Sequence, residues 1–172
     1  MNSVMENILT RRSCRAFTEE PIPKNLLEDI LKAATYAPSG MNRQTWEFVA
    51  VTNPDKIKEL VEAIATVLGR EQYDMYRPAA VILTTNSKDS RFSKEDNACA
   101  MENIFLAAHS YGIGSVWINQ LLGICDDPVI RKVLTNLGVR EDYDVFGTAA
   151  LGYPAAELPR DVQKTGVIKI VE

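Results

Sequence analysis

The stretch Trp46-Glu47-Phe48-Val49-Ala50-Val51-Thr52-Asn53-Pro54-Asp55 decides the fold class. Most of its first seven residues are aromatic or β-branched, which suits a strand. Asn53-Pro54-Asp55 is a cap-like turn that opens a helix running to about Gly69. The same signals recur downstream. Residues 79–85 read as a second strand, and residues 94–111 as a helix with Ala98, Met101, Ile104, Phe105 and Ala108 on one apolar face, ended by Gly112-Ile113-Gly114. Residues 115–118 form a short strand, Asp127-Pro128 opens a helix to 137, and residues 145–151 are an apolar strand running into Gly152-Tyr153-Pro154.

Toward the N-terminus, Ser3-Val4-Met5-Glu6 has capping-box spacing and predicts a short helix to about Arg11, followed by an extended segment over 13–17. Pro21 and Pro23 precede a helix over 24–36, where Leu26, Leu27, Ile30, Leu31 and Ala34 keep helical spacing and Pro38 stops it. A polar loop over 39–45 leads to Trp46. The whole is α+β in one domain spanning residues 1–172. The tail Val167-Ile168-Lys169-Ile170-Val171 alternates like a strand, but the polar residues 156–166 before it can carry it away from the core and onto another subunit.

Composition narrows the chemistry. The net charge of −4 argues against a nucleic-acid protein. Apolar runs such as Ala79-Ala80-Val81-Ile82-Leu83 are far shorter than the roughly 20 residues that cross a bilayer, and Met1 to Thr10 holds no signal-peptide pattern, so the expectation is no membrane and a cytoplasmic location. Cys14, Cys99 and Cys125 are odd in number and widely spaced, which implies neither a disulfide framework nor a metal site. With His109 the only histidine, triads and His-rich metal sites have little to draw on, and the chemistry is expected to come from a cofactor.

Two clusters can carry such chemistry. Arg11-Arg12-Ser13-Cys14-Arg15 places three guanidinium groups and a hydroxyl in five positions. In an extended segment Arg11, Ser13 and Arg15 share a side and suit a phosphate, because the planar guanidinium donates two parallel charge-assisted hydrogen bonds. On spacing alone an equal reading is that Arg11 and Arg12 meet a helix dipole at its C-terminus. Pro38-Ser39-Gly40-Met41-Asn42-Arg43-Gln44-Thr45-Trp46 is either an ordinary polar turn or a surface whose Asn and Gln, each donor and acceptor, match a flat heterocycle with alternating carbonyl and N–H groups, such as a flavin pyrimidine edge.

In their order, these clusters resemble the FMN-dependent nitroreductase family, which carries an Arg-Arg-Ser-x-Arg-x-Phe segment and then a Pro-Ser-x-x-Asn-x-Gln-x-Trp loop. Here they read Arg11-Arg12-Ser13-Cys14-Arg15-Ala16-Phe17 and residues 38–46 as quoted. The resemblance continues from Asn103 through Gly112-Ile113-Gly114-Ser115 to Trp117-Ile118, and in Ala150-Leu151-Gly152-Tyr153-Pro154. Two positions depart: Thr45 stands where many relatives have Pro, and Gly166 where an Arg often follows the C-terminal Lys by two positions. The chain is also short for the family, with no room for the long helical insertion that covers the flavin in larger members.

The resemblance implies a three-layer fold: a central, mostly antiparallel sheet flanked by helices, with the C-terminal strand exchanged between the subunits of a homodimer. It implies FMN as cofactor and NADH or NADPH as electron donor to a small electron-poor acceptor, a nitroaromatic or quinone, by a ping-pong sequence on the flavin. Arg11, Arg12, Ser13 and Arg15 then hold the phosphate and ribityl chain, with Arg15 toward the pyrimidine edge and Lys164 reaching the phosphate. Pro38, Ser39, Gly40, Met41, Asn42 and Gln44 lie against the partner's flavin, and Trp117, Ile118 and Gly152 complete the cofactor site. The alternatives to this leading reading are another flavin reaction on the same scaffold, such as reductive dehalogenation or dehydrogenation, and a flavin-binding module that stores FMN or relays electrons without its own turnover. For single residues the plainer expectations are a small buried Cys14, a His109 meeting solvent or the helix dipole, and core positions for Trp117 and Tyr36. Residues 71–77, with Tyr73, Met75 and Tyr76, form a lid or an irregular connection.

Overall fold

The computed structural model describes residues 2–159 and 162–172 of the chain. Among the described residues five α-helices, α1 (Ser3–Thr10), α2 (Lys24–Thr35), α3 (Pro54–Leu68), α4 (Ser93–Ser110) and α5 (Pro128–Asn136), accompany four strands, β1 (Trp46–Val51), β2 (Ala80–Ser87), β3 (Gly114–Ile118) and β4 (Tyr143–Gly152). The strands form one antiparallel sheet in the order β1-β2-β4-β3. The long pair β2 and β4 is central, and a register shift after Thr84 leaves Phe146 without a partner between Val145 and Gly147.

Alternation along the strands sends side chains into two cores. Val81, Leu83, Val116, Ile118 and Val145 meet Leu60 and Ile64 of α3 and Ile130 and Leu134 of α5. Ala80, Ile82, Ala149 and Leu151 face the opposite way, onto Leu27 and Ile30 of α2 and Met101, Ile104 and Phe105 of α4. Helices thus cover both faces, giving the expected three layers.

Local chemistry sets the helix ends. Asn53 Oδ1 accepts the Asp55 and Lys56 N–H groups at 2.9 and 3.3 Å, and α3 stops at Gly69, whose φ of 62° closes the last turn. Asp127 caps α5 through the Val129 N–H. At α1 the capping-box expectation is corrected: Asn2 Oδ1 accepts the Met5 N–H at 2.9 Å, so Ser3 is the first helical residue. The apolar face of α4 is corrected too. Ala98 points to solvent, while the buried stripe runs through Ser93, Asp96, Asn97, Ala100, Met101, Ile104, Phe105 and Ala108, so three polar residues continue the core side of the helix.

Tyr36 and Trp117, expected in the core, are 77% and 38% exposed. Tyr36 follows the last turn of α2, beyond the helices that bury Leu27 and Ile30. Trp117 lies on the edge strand, where alternation hands Val116 and Ile118 to the α3/α5 core and turns the indole out on the α4 side. The predicted strand over 167–171 does not form within the chain: Val167, Ile168, Ile170 and Val171 are between 83% and 95% exposed. Residues 71–77 are an irregular connection in which Met75, Tyr76 and Arg77 all have left-handed φ, and Met75 is buried in the α3/α5 core. No helix among the described residues is long and apolar enough to cross a membrane.

Candidate flavin site

After α1 the chain extends across one end of the sheet. The Cys14 N–H donates to the Ser115 carbonyl at 2.9 Å, Ala155 N–H to Ala16 at 3.0 Å, and Thr18 N–H to Tyr153 at 2.8 Å. Alternation buries Cys14 (1% exposed) and leaves Ser13 and Arg15 exposed. Two glycines allow this close approach. A Cβ on Gly114 would lie 2.7 Å from Cys14 Cβ, and one on Gly152 would lie 2.9 Å from Phe17 Cβ. Gly152 is thus buried beneath Phe17, and Cys14 is the small buried side chain of the plainer expectation.

The arginines divide between the two readings of their cluster. Arg12 donates to the Leu9 and Arg11 carbonyls, both at 2.7 Å, which satisfies acceptors at the α1 C-terminus. Arg11 turns along α4 instead, with its guanidinium carbon 5.6 Å from the Phe105 ring centroid and its Nε 3.9 Å from Glu102. Phe105 in turn meets the exposed Trp117 edge-on at 6.1 Å. Arg15 borders a cavity of about 380 Å³ with Phe17, Thr18, Asp74, Tyr76 and Arg77.

Arg11, Arg12 and His109 also line a cleft of about 200 Å³ closed by Gly114, Ser115 and Pro154. His109 Nε2 lies 2.9 Å from Thr10 Oγ1, and partial burial followed by the charges of Arg11 and Arg12 holds the imidazole below its usual pKa. Such a cleft has the charge and the donors to take an anion.

The second cluster folds into a tight loop. Residues 40–42 make a single 3-10 turn, and Met41, Asn42 and Gln44 have φ of 55°, 54° and 50°, three side-chain-bearing residues in the left-handed region. Gln44 N–H donates to Ser39 Oγ at 3.1 Å, and Gln44 Nε2 to Asn42 Oδ1 at 2.6 Å, so the polar residues hold the loop while Met41, Asn42 and Gln44 stay exposed. The loop rests on α4: Gly40 N–H donates to Asp96 Oδ1 at 2.7 Å, and a Cβ on Gly40 would fall 2.3 Å from the Phe92 ring. Sequence reasoning missed Asp96 and Asn97. Stepping back from Ile104 and Phe105 by two turns lands on both, which is the signal that would have found them.

Within one chain the two clusters do not meet. The loop contacts α4 at Asp96 and the arginine cluster contacts it at Phe105, sites that the helical rise separates by about 14 Å. Trp117 and Ile118 lie on the arginine side, Trp117 through its indole and Ile118 with only its backbone available, because its side chain is buried. Lys164 is exposed in the tail. Among the described residues no group of three His, Cys, Asp or Glu is placed to hold a metal ion.

Comparison with known proteins agrees with this geometry. A nitroreductase of Bacteroides fragilis, solved with bound FMN, superimposes with a TM-score of 0.92 over 100% of both chains at 43% identity. One from Desulfitobacterium hafniense, also with bound FMN, gives 0.86 over 100% of both chains at 28% identity. A putative NADH dehydrogenase/NAD(P)H nitroreductase of Archaeoglobus fulgidus is 36% identical over 162 residues, 91% of this chain and 88% of that protein. The model of the nitroreductase family matches residues 8–153, and the chain therefore belongs to the nitroreductase family.

Proposed function

We infer that the chain is a single FMN-binding domain over residues 1–172 that works as a cytoplasmic homodimer, taking electron pairs from NADH or NADPH and passing them to a small electron-poor acceptor such as a nitroaromatic or quinone. The observation that carries this reading is the division of the site: a basic clamp at one end of α4 and a constrained amide-rich loop at the other, which a single chain does not bring together. A second subunit supplies the missing half.

The residues fit the group. Arg11, Ser13 and Arg15 would hold the phosphate and ribityl chain, with Arg12 anchoring the segment that carries them, Lys164 adding charge from the tail, and Arg15 setting positive charge beside the pyrimidine edge, where it favours an electron-rich ring. Pro38, Ser39, Gly40, Met41, Asn42 and Gln44 would lie on the partner's ring, offering amide donors and acceptors to its edge. Trp117 would give the ring or the acceptor a flat apolar neighbour, Ile118 its backbone, and Gly152 the close packing that lets residues 13–17 reach the site. Bound FMN supplies the two-electron redox chemistry, and the protein's part is to bind, orient and tune it.

Two exposed apolar surfaces support the dimer. Val4, Met5, Ile8 and Leu9 of α1 are 44–65% exposed, and the tail side chains Val167, Ile168, Ile170 and Val171 stand in solvent. Pairing the tail with the partner as an exchanged strand would bury the latter. In initial-rate kinetics with a nitroaromatic or a quinone, the nicotinamide and the acceptor would occupy the same place in turn, which gives parallel double-reciprocal lines. Intersecting lines would refute the alternating sequence.

A further inference from the structure

The loop of residues 38–44 lies about as far from ordinary backbone geometry as any segment of the protein, with three side-chain-bearing residues at positive φ, and something must hold it there. Its own hydrogen bonds are local and exposed. Among the described residues, the one hydrogen bond that ties residues 38–44 to the body is from Gly40 N–H to Asp96 Oδ1 at 2.7 Å. Asp96 is 3% exposed, and its other oxygen, Oδ2, is buried without a hydrogen-bond partner among the described residues. A buried carboxylate with one donor is costly, and an apolar residue would fill the same place on α4 more favourably.

The neighbouring residue repeats the pattern. Asn97, fully buried, accepts from Asn86 Nδ2 at 2.9 Å, and Asn86 Oδ1 accepts from Thr45 Oγ1 at 2.7 Å, while Asn97 Nδ2 is buried and unpartnered among the described residues. Two consecutive polar residues in the first turns of α4 therefore fasten both ends of the loop: Asp96 at Gly40, and Asn97, through Asn86, at Thr45. The Thr45 hydroxyl supplies the bond at that end. A carboxylate oxygen over an N–H and an amide over a hydroxyl fix position as well as distance, which apolar packing does not.

We propose that Asp96, seconded by the Asn97–Asn86–Thr45 chain, is a positioning residue for flavin binding: it holds residues 38–44 in the strained shape that meets the partner's isoalloxazine ring, and so acts on the ring and not on the phosphate. This rests on the reading of that loop as a flavin surface. The effect of its loss differs in kind from that of the arginine clamp. Removing Asp96 weakens FMN and riboflavin alike, because both carry the ring, whereas removing Arg11 weakens FMN only.

The experiment is titration of the full-length apo-dimer with FMN and with riboflavin, for the wild type and Asp96→Ala, Asp96→Asn, Thr45→Val and Arg11→Ala, with the visible circular dichroism of bound flavin recorded for each. Expected for Asp96→Ala is a rise in Kd of about tenfold for both ligands and an altered flavin dichroism, with Asp96→Asn, which keeps an acceptor oxygen, recovering most of the loss. Thr45→Val, nearly isosteric, gives about a threefold loss for both ligands. If Asp96→Ala does not fold, Thr45→Val and Asp96→Asn decide the matter. Wild-type affinities and dichroism in Asp96→Ala and Thr45→Val, alongside a selective loss of FMN in Arg11→Ala, would overturn the proposal and leave the flavin reading standing. Failure of the wild-type protein to bind either flavin would take down both.

Discussion

The guanidinium of Arg11 lies 5.6 Å from the centre of the Phe105 ring, and that ring touches Trp117 edge-on, so the cation of the proposed phosphate clamp and the exposed indole of the edge strand share one aromatic support. A cation over a ring face is held in place without being neutralised. Its one ion pair among the described residues, with Glu102 at 3.9 Å, is long and half in solvent. Arg11 is thereby aimed yet still available to an anion. Replacing it with Ala should weaken FMN about ten- to a hundredfold, the usual worth of a charge-assisted bond, and leave riboflavin unchanged. Fluorescence titration of the apo-protein with each flavin measures both.

Gly152 offers a test of the packing that presents this clamp. A methyl group there would lie 2.9 Å from Phe17 Cβ, and both partners are backbone-anchored, so residues 13–17 must lift from the sheet. Gly152→Ala should destabilise the protein by about 1–3 kcal/mol in urea unfolding and weaken FMN as well. Unchanged stability would mean that the segment is not seated on β4 as described.

The architecture itself was largely legible in the sequence, because its signals are local. The strand at residues 46–51, the Asn53 cap and the Gly69 stop depend on neighbours only a few positions away. The clamp residues were legible as a cluster, though not the division of labour between Arg11 and Arg12, which depends on Phe105 lying beside one of them. What escaped depends on topology. Trp117 reads as a core residue until β3 is known to be the edge strand. Helical periodicity can mark Asp96 as buried, but its partner Gly40 lies 56 positions away and only the fold brings it there.

Leu83 sits at the middle of the central strand β2 and is fully buried against the α3/α5 layer. Leu83→Ala should cost about 2–5 kcal/mol of unfolding free energy. Saturating FMN, held by the folded state under the proposed function, should raise the melting temperature of wild type and variant alike.

His109 should make the protein's stability sensitive to mild acid. Burial, then Arg11 and Arg12, hold its folded pKa below the ordinary value of 6.5, so between 6.5 and that lower value the unfolded chain binds more protons than the folded one. Stability should therefore decline as pH falls through this window and level off below it. His109→Gln should flatten that part of the profile in melts from pH 7.5 to 5, and an unaltered slope would remove His109 as its source.

The C-terminal tail tests the dimer. With Val167, Ile168, Ile170 and Val171 exposed and unpaired among the described residues, deletion of residues 162–172 should leave a folded protein that sediments with more monomer at equal concentration and binds FMN less tightly. Undiminished association would place the dimer contact elsewhere.

The most direct test of the central claim is anaerobic addition of NADH or NADPH to the FMN-loaded protein, followed in the visible flavin absorbance. Bleaching is expected with at least one of the two nicotinamides, and recovery of the yellow colour when a nitroaromatic or quinone is added. Protein that holds FMN stoichiometrically and yet stays yellow with both nicotinamides would contradict it.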